Sequence, residues 1–119
     1  MTFFARAAGT AAALAFSTGM ALAEPAVVYD SGGKFDKGFN ESAFNGMEQY
    51  KKESGKSYLE FEVQTDAQRE QAIRRFAQKG ADPIVTVGFA QGTALEKVAK
   101  EFPKTHFVII DFEIGRAHV

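Results

Sequence analysis

Two hydrophobic periodicities alternate along the chain between residues 26 and 111. Short apolar runs of four to seven residues predict buried or half-buried strands, and apolar residues at spacings of three and four predict helices. The runs that predict strands are 26–30, 58–63, 83–88 and 106–111. The segments with helical spacing are 39–52, 66–79 and 91–102. The order βαβαβαβ predicts an α/β fold, a parallel sheet with helices on both faces and right-handed crossovers.

Residues that start or stop helices lie at the ends of these segments. Gly55 follows the first helical segment, where glycine commonly closes a helix. Asp66 is predicted to be the N-cap of the second helix. The apolar face of that helix is predicted to hold Ala67, Ala72, Ile73 and Phe76.

The first 23 residues have the layout of a secretory signal peptide. Arg6 is their one charge, and an apolar, alanine-rich run covers residues 7–16. Ala21-Leu22-Ala23 then offers small residues for cleavage before Glu24. A buried helix or a membrane anchor is the alternative, but the run is too short to span a bilayer. We therefore expect residues 1–23 to be removed on export.

The end of the chain, residues 113–119, breaks the pattern. Its sequence, EIGRAHV, looks like the translation of a common sequencing adapter. A natural tail is the alternative. We expect an artefact, so Arg116 and His118 carry no functional weight, and the native protein is expected to continue beyond Phe112. The segment 24–112 is then part of one α/β lobe.

Composition excludes several classes of protein. Fourteen basic residues face fifteen acidic ones in a chain of 119 residues, so no basic surface for nucleic acid or an anionic membrane is expected. Cysteine is absent, which excludes disulfides, thiolate metal sites and a cysteine-linked lipid. We therefore expect a soluble periplasmic protein without a lipid anchor.

Residues that could bind a ligand lie at the carboxyl ends of the predicted strands. Ligands of open parallel sheets bind outside the carboxyl ends of the strands. Carboxylates there accept hydrogen bonds from hydroxyls and ring N–H groups, aromatic rings stack on planar ligands, and glycine admits a close approach. The residues in such positions are Asp30, Phe39, Asn40, Gly88, Phe89 and Asp111.

Most of these residues also have a purely structural interpretation. The alternatives are a turn cap for Asp30, a core position for Phe39, a backbone-bonding role for Asn40, a strand terminator for Gly88 and a turn residue for Asp111. Their convergence on one edge is more specific than any single position.

Enzymatic patterns are not found. Ser31-Gly32-Gly33-Lys34 lacks the spacing of a phosphate-binding loop, and no Gly-x-Ser-x-Gly elbow occurs. His106 is the one histidine before residue 113, which excludes a histidine metal cluster in that segment. We expect no catalytic residue, metal or cofactor, although Asp30 and Asp111 leave an acid/base pair open.

A family resemblance rests on these same segments. Residues 28–40, VYDSGGKFDKGFN, resemble the opening motif of the basic membrane protein family of ABC-transporter substrate-binding proteins. In that family an Asp ends the first strand and a loop of the type G…DxSFN follows. Residues 87–90 and 107–111 also match, so the resemblance covers 26–112. One departure is Gly38, where serine is common.

The resemblance implies the N-terminal lobe, here truncated, of a type I periplasmic-binding-protein fold. Two such lobes close around a small ligand, commonly a purine nucleoside, and a monomer delivers it to an ABC permease of the inner membrane. Phe39 is implied to stack on the purine, Asp30 to bind the base and Asp111 to bind ribose hydroxyls. Asn40, Gly88 and Phe89 are implied to line the pocket, and the second lobe to supply the other aromatic ring.

Two other functions stay open at this point. A secreted α/β enzyme that processes nucleosides would use Asp30 and Asp111, but such enzymes need a carboxylate cluster around a metal. A soluble nucleoside-sensing domain would share the fold and the site.

Overall fold

A computed structural model of the chain describes residues 23–112. The predicted segment 113–119 and the predicted leader, apart from Ala23, lie outside the described residues.

Within residues 23–112, four strands alternate with three helices in the predicted order. The strands are β1 (Ala26–Tyr29), β2 (Leu59–Glu62), β3 (Ile84–Val87) and β4 (Phe107–Ile110). The helices are α1 (Phe39–Ser54), α2 (Asp66–Gln78) and α3 (Gly92–Glu101), and a 3₁₀ turn, Phe89–Gln91, precedes α3.

The strands form one parallel sheet in the order β2-β1-β3-β4. The chain steps from β1 to β2 in one direction and then from β2 across β1 to β3 and β4 in the other. Right-handed crossovers place the helices of opposite steps on opposite faces of the sheet. The predicted parallel sheet is confirmed.

The helices cover the two faces unequally. On one face, Val28 of β1 packs in a core with Ile73 and Phe76 of α2 and Val98 of α3. On the other face, Val27 and Tyr29 of β1 pack against α1 through Ala43, Phe44 and Met47. The alternating residues of β1 are all fully buried because both faces carry helices.

The ends of α1 follow from local chemistry. The helix extends two residues beyond the predicted segment, to Ser54. Gly55 then adopts a left-handed conformation with φ of 70°, and its N–H donates to the carbonyl of Lys51. Glycine reaches this conformation without strain, so α1 ends where the glycine was expected to stop it.

The start of α2 corrects the prediction. Thr65 is the N-cap, in an extended conformation, and Asp66 is the first helical residue. The Oε1 atom of Gln68 accepts the Thr65 N–H at 3.2 Å, a reciprocal arrangement that favours threonine as the cap. The predicted position of Ala67 on the apolar face is also wrong, because Ala67 is exposed and Arg69 is buried in the first turn.

Candidate ligand-binding site

Three of the predicted site residues lie in one row across the sheet. Val28 of β1 is paired with Thr86 of β3, and Thr86 with Ile109 of β4. Two residues further along each strand, the same register places Asp30, Gly88 and Asp111 side by side at the carboxyl edge. Neighbouring strands are about 4.8 Å apart, so the backbones of Asp30 and Asp111 are about 10 Å apart with Gly88 between them.

The connections that follow β1 and β3 run to opposite faces of the sheet and leave a crevice at this row. The segment after β1 leads to α1 on one face of the sheet, and the segment after β3 leads to α3 on the other face. Adjacent strands whose connections diverge leave an open space above their carboxyl ends, which is the usual ligand position in such sheets.

The carboxylate of Asp30 is held in a fixed orientation. Its Oδ1 atom accepts hydrogen bonds from Arg69 Nη2 at 2.6 Å and from the Ser31 N–H at 2.8 Å. The side chain of Asp30 is 21% exposed. The turn contact with Ser31, considered above as an alternative, therefore coexists with an accessible carboxylate.

Gly88 makes room for that carboxylate. A Cβ atom at residue 88 would lie 2.5 Å from Asp30 Oδ2, far inside van der Waals contact. The backbone of Gly88 also has φ of 100°, which side-chain-bearing residues rarely adopt. Gly88 therefore does more than end a strand, since it allows Asp30 Oδ2 to lie over β3.

The side chain of Asn40 is hydrogen-bonded to the backbone of Asp30. Its Oδ1 atom accepts the Asp30 N–H at 3.0 Å, and its Nδ2 atom donates to the Asp30 carbonyl at 3.2 Å. The residue is 3% exposed. The backbone-bonding role is thus present, and it closes the loop between β1 and α1.

Asp36, which the sequence analysis did not single out, fixes the start of α1. Its Oδ1 atom accepts the N–H groups of Gly38 at 2.8 Å and Glu41 at 3.0 Å. Partial desolvation acts to raise the pKa of Asp36, but the hydrogen bonds from Gly38, Glu41 and Asn40 outweigh it and lower the pKa. A capping carboxylate near a helix N-terminus is stabilised in this way.

Two aromatic rings stand exposed at the same edge. Phe39 is 57% exposed and Phe89 is 71% exposed. Phe39, at the first position of α1, lines an apolar groove of about 350 Å³ together with Met47 and Ile110, among others. Phe39 is therefore not a closed core residue, and its ring is accessible to a ligand.

Asp111 completes the row. It is exposed and has a left-handed backbone with φ of 67°. Aspartate tolerates this conformation better than most residues. The bend turns the chain immediately after β4, and Asp111 is the residue that follows the strand at the carboxyl edge of the sheet.

Two further residues under the site were missed by the sequence analysis. Gln91 is fully buried, and its Nε2 atom donates to the Val28 carbonyl at 3.2 Å. Arg69 is buried on α2 and contacts Asp30. The signal for Arg69 was its spacing of three and four from Ala72 and Ile73, which places it in the buried stripe.

Two other kinds of feature are not found among the described residues. Among residues 23–112, no group of three or more histidine, aspartate or glutamate side chains is arranged to hold a metal ion. Within the same range, none of the helices is long and apolar enough to cross a membrane.

An α/β lobe with polar and aromatic groups at the carboxyl edge of a parallel sheet is suited to bind a small ligand there. Residues 23–115 match the Bmp family, described as "ABC transporter substrate-binding protein PnrA-like". The chain belongs to this family, whose members are extracytoplasmic binding proteins and not enzymes.

Individual relatives agree with this assignment. The chain is 37% identical over 95 residues to an uncharacterized lipoprotein of Pyrococcus furiosus, covering 76% of this chain and 23% of the relative. It is 31% identical over 90 residues to the ABC transporter nucleoside-binding protein BmpA of Lactococcus lactis subsp. cremoris, covering 72% and 26%. The chain thus spans about a quarter of the length of these curated relatives.

Solved structures share the fold. A solute-binding protein of an ABC transporter system from Aeropyrum pernix K1 superposes with a TM-score of 0.70 at 30% identity, covering 79% of this chain and 26% of that one. A fragment of a lipoprotein from Peptoclostridium difficile 630 superposes with a TM-score of 0.70 at 26% identity, covering 79% and 77%.

Proposed function

We propose that the full-length protein captures a purine nucleoside outside the cytoplasm and delivers it to an ABC permease. The observation that carries the proposal is the row of Asp30, Gly88 and Asp111, with the exposed rings of Phe39 and Phe89 at the same edge. A similar protein from Lactococcus lactis is named for nucleoside binding, which supports the ligand class.

A nucleoside matches the chemistry of these groups. Its planar base can stack on the Phe39 ring, and its ring N–H or amino groups can donate to the free Oδ2 of Asp30. The vicinal hydroxyls of ribose can donate to Asp111. Phe89 and the backbone of Gly88 line the pocket, and Asn40 ties the start of α1, where Phe39 lies, to the backbone of Asp30.

The ligand is enclosed by a second lobe in this proposal. The carboxyl edge of the described lobe is open, and stacking on one aromatic ring is worth about 1–3 kcal/mol, too little for tight capture alone. A second lobe that supplies another aromatic ring would bury the other side of the base. The assembled protein is proposed to act as a monomer, with the permease as its partner.

The proposed location is the periplasm, without a lipid anchor. Relatives from Pyrococcus are named lipoproteins, whereas the 119 residues contain no cysteine for acylation. Intact-mass measurement of the protein exported from a Gram-negative host is expected to show the loss of residues 1–23 and no added lipid. A retained leader or a lipid mass would overturn this part of the proposal.

The ligand class is tested by calorimetric titration of the full-length protein. Guanosine, inosine and adenosine are titrated alongside uridine, free ribose and the free bases. Saturable binding of a purine nucleoside, tighter than that of its base or of ribose, is expected. Binding of ribose alone, or of no nucleoside, would overturn the proposal.

Removing the carboxylate of Asp111 is expected to weaken binding of the ribose and to leave binding of the base unchanged. Asp111→Gly keeps a residue suited to φ of 67° and leaves the ribose hydroxyls unpaired, at a cost of about 1–3 kcal/mol, or roughly 5- to 150-fold in affinity. The free base should bind as before, because its contacts are elsewhere. The measurement is calorimetric titration with a nucleoside and its base.

Two matched variants control this experiment. Asp111→Asn retains a hydrogen-bond acceptor and should lose less affinity than Asp111→Gly. Glu53→Ala removes an exposed carboxylate near the end of α1, away from the site, and should bind like the wild type. Equal losses for nucleoside and base in Asp111→Gly would refute the ribose assignment.

A further inference from the structure

Arg69 is a charged residue in an apolar position. It lies in the first turn of α2, on the buried face that continues with Ala72, Ile73 and Phe76. Only 11% of its side chain is exposed. A guanidinium withdrawn from water in this way needs ionised partners, because desolvation of an unpaired charge is costly.

The guanidinium joins two carboxylates. Its Nη2 atom donates to Asp30 Oδ1 at 2.6 Å, and its Nη1 atom pairs with the exposed carboxylate of Asp66. The hydrogen bond to Asp30 raises the pKa of Arg69 and outweighs the effect of burial, which acts in the opposite direction. Both the raised pKa and the ordinary basicity of a guanidinium keep Arg69 charged at neutral pH.

These contacts give the two carboxylate oxygens of Asp30 different environments. Oδ1 accepts from both Arg69 and the Ser31 N–H. Oδ2 lies over Gly88, where a Cβ would lie 2.5 Å away, on the side of the crevice between β1 and β3. One oxygen is thus saturated by the protein, and the other keeps its acceptor capacity.

We propose that Arg69 is a positioning residue of the ligand site, which clamps Asp30 so that Oδ2 alone meets the ligand. The inference rests on the proposed function, since it assigns Asp30 to ligand contact. An ionised carboxylate accepts hydrogen bonds and does not donate them. The role of the clamp is to fix where Oδ2 lies, so that it can accept an N–H or O–H group of the ligand.

Stability alone cannot separate this role from that of an ordinary ion pair. Replacing a buried ion pair by apolar residues of similar volume is often neutral, whereas removing one partner is destabilising. The decisive quantity is the energetic coupling of Arg69 to Asp30 in ligand affinity, because a positioning residue acts through the group that it positions.

The experiment is a double-mutant cycle in the full-length protein, read by calorimetric titration with guanosine and inosine. The variants are Arg69→Met, Asp30→Ala and the two together, with Arg69→Lys as the conservative replacement. Arg74→Met is the matched control, because Arg74 lies on the same helix and pairs with Glu101, away from the row. Thermal unfolding of each variant is measured in parallel.

Arg69→Met is expected to weaken binding about 10- to 100-fold, by analogy with the loss caused by removing residues that orient metal ligands through hydrogen bonds. Arg69→Lys should recover part of the loss, because a lysine carries the charge without the two-pronged geometry. In the Asp30→Ala background, Arg69→Met should cause little further loss. Arg74→Met should leave the affinity unchanged.

Two results would overturn the inference while the proposed function stands. The first is wild-type affinity in Arg69→Met. The second is the same loss from Arg69→Met with and without Asp30, which would show that Arg69 acts independently of the carboxylate. Absence of nucleoside binding in the wild-type protein would instead remove the proposed function and this inference together.

Discussion

Replacing Gly88 with alanine is expected to lower both the free energy of unfolding and the affinity for the ligand. The backbone at residue 88 has φ of 100°, and holding a residue with a side chain in such a conformation costs about 1–3 kcal/mol. The new Cβ would also lie 2.5 Å from Asp30 Oδ2. Relief of this overlap is expected to displace the carboxylate of Asp30, which is proposed to contact the ligand.

Chemical denaturation and calorimetric titration of the full-length protein check the two effects. Gly46→Ala is the matched control for the stability measurement alone, because a Cβ at this helical position meets nothing within 4 Å but the residue lines the groove beside Phe39. Alanine in a helix interior stabilises by about 0.5–1 kcal/mol relative to glycine. A Gly88→Ala variant as stable as the wild type, with unchanged affinity, would contradict the described contact between Gly88 and Asp30.

Replacing Phe39 with alanine is expected to weaken nucleoside binding more than it weakens the fold. The ring is 57% exposed, so little buried area is lost from the free protein. Loss of base stacking costs about 1–3 kcal/mol, or roughly 5- to 150-fold in affinity. Titration with inosine and with its free base should show similar losses, because both ligands stack through the base.

Two variants make this result specific. Phe39→Tyr keeps an aromatic ring and should retain most of the affinity. Phe35→Ala removes another exposed ring of the same loop, but that ring packs edge-to-face against Phe44 at 5.3 Å. Equal losses in Phe35→Ala and Phe39→Ala would point to general damage to the loop and against stacking at Phe39.

The sheet could be predicted from the sequence because each strand and each helix has its own local hydrophobic pattern. Strands such as 83–88 are short, mostly apolar runs, helices such as 39–52 have the helical spacing, and a strict alternation of the two leaves few topologies. The row at the carboxyl edge follows from the same argument. Any residue that directly ends a parallel strand must lie at that edge, as Asp30 and Asp111 do.

The charged residue under the site could not be predicted in this way. The spacing within α2 indicates that residue 69 lies in the buried stripe, but Arg69 and Asp30 are 39 residues apart, so the sequence of α2 does not show which carboxylate pairs with the guanidinium. Burial of Arg69 becomes favourable only once β1 brings a carboxylate beside it. The sequence predicted Ala67, two residues before Arg69, as the first residue of the apolar face, and Ala67 is exposed.

The N-cap of α2 was misplaced for a different reason. Thr65 and Asp66 are adjacent, and both residue types are good N-caps. The deciding contact is the bond between Gln68 Oε1 and the Thr65 N–H. Local sequence rules allow both starts, and the geometry of one turn selects between them.

The two amides beneath the row have a thermodynamic consequence for capture. Asn40 ties the loop after β1 to the backbone of Asp30, and Gln91 ties the turn after β3 to the carbonyl of Val28. Ordering one backbone residue costs about 1–2 kcal/mol, so loops that are already fixed spare a ligand that penalty. Under the proposed function, this lobe would bind its solute in a preorganised conformation, and the entropy lost on binding would come from the solute itself and from motion outside these loops.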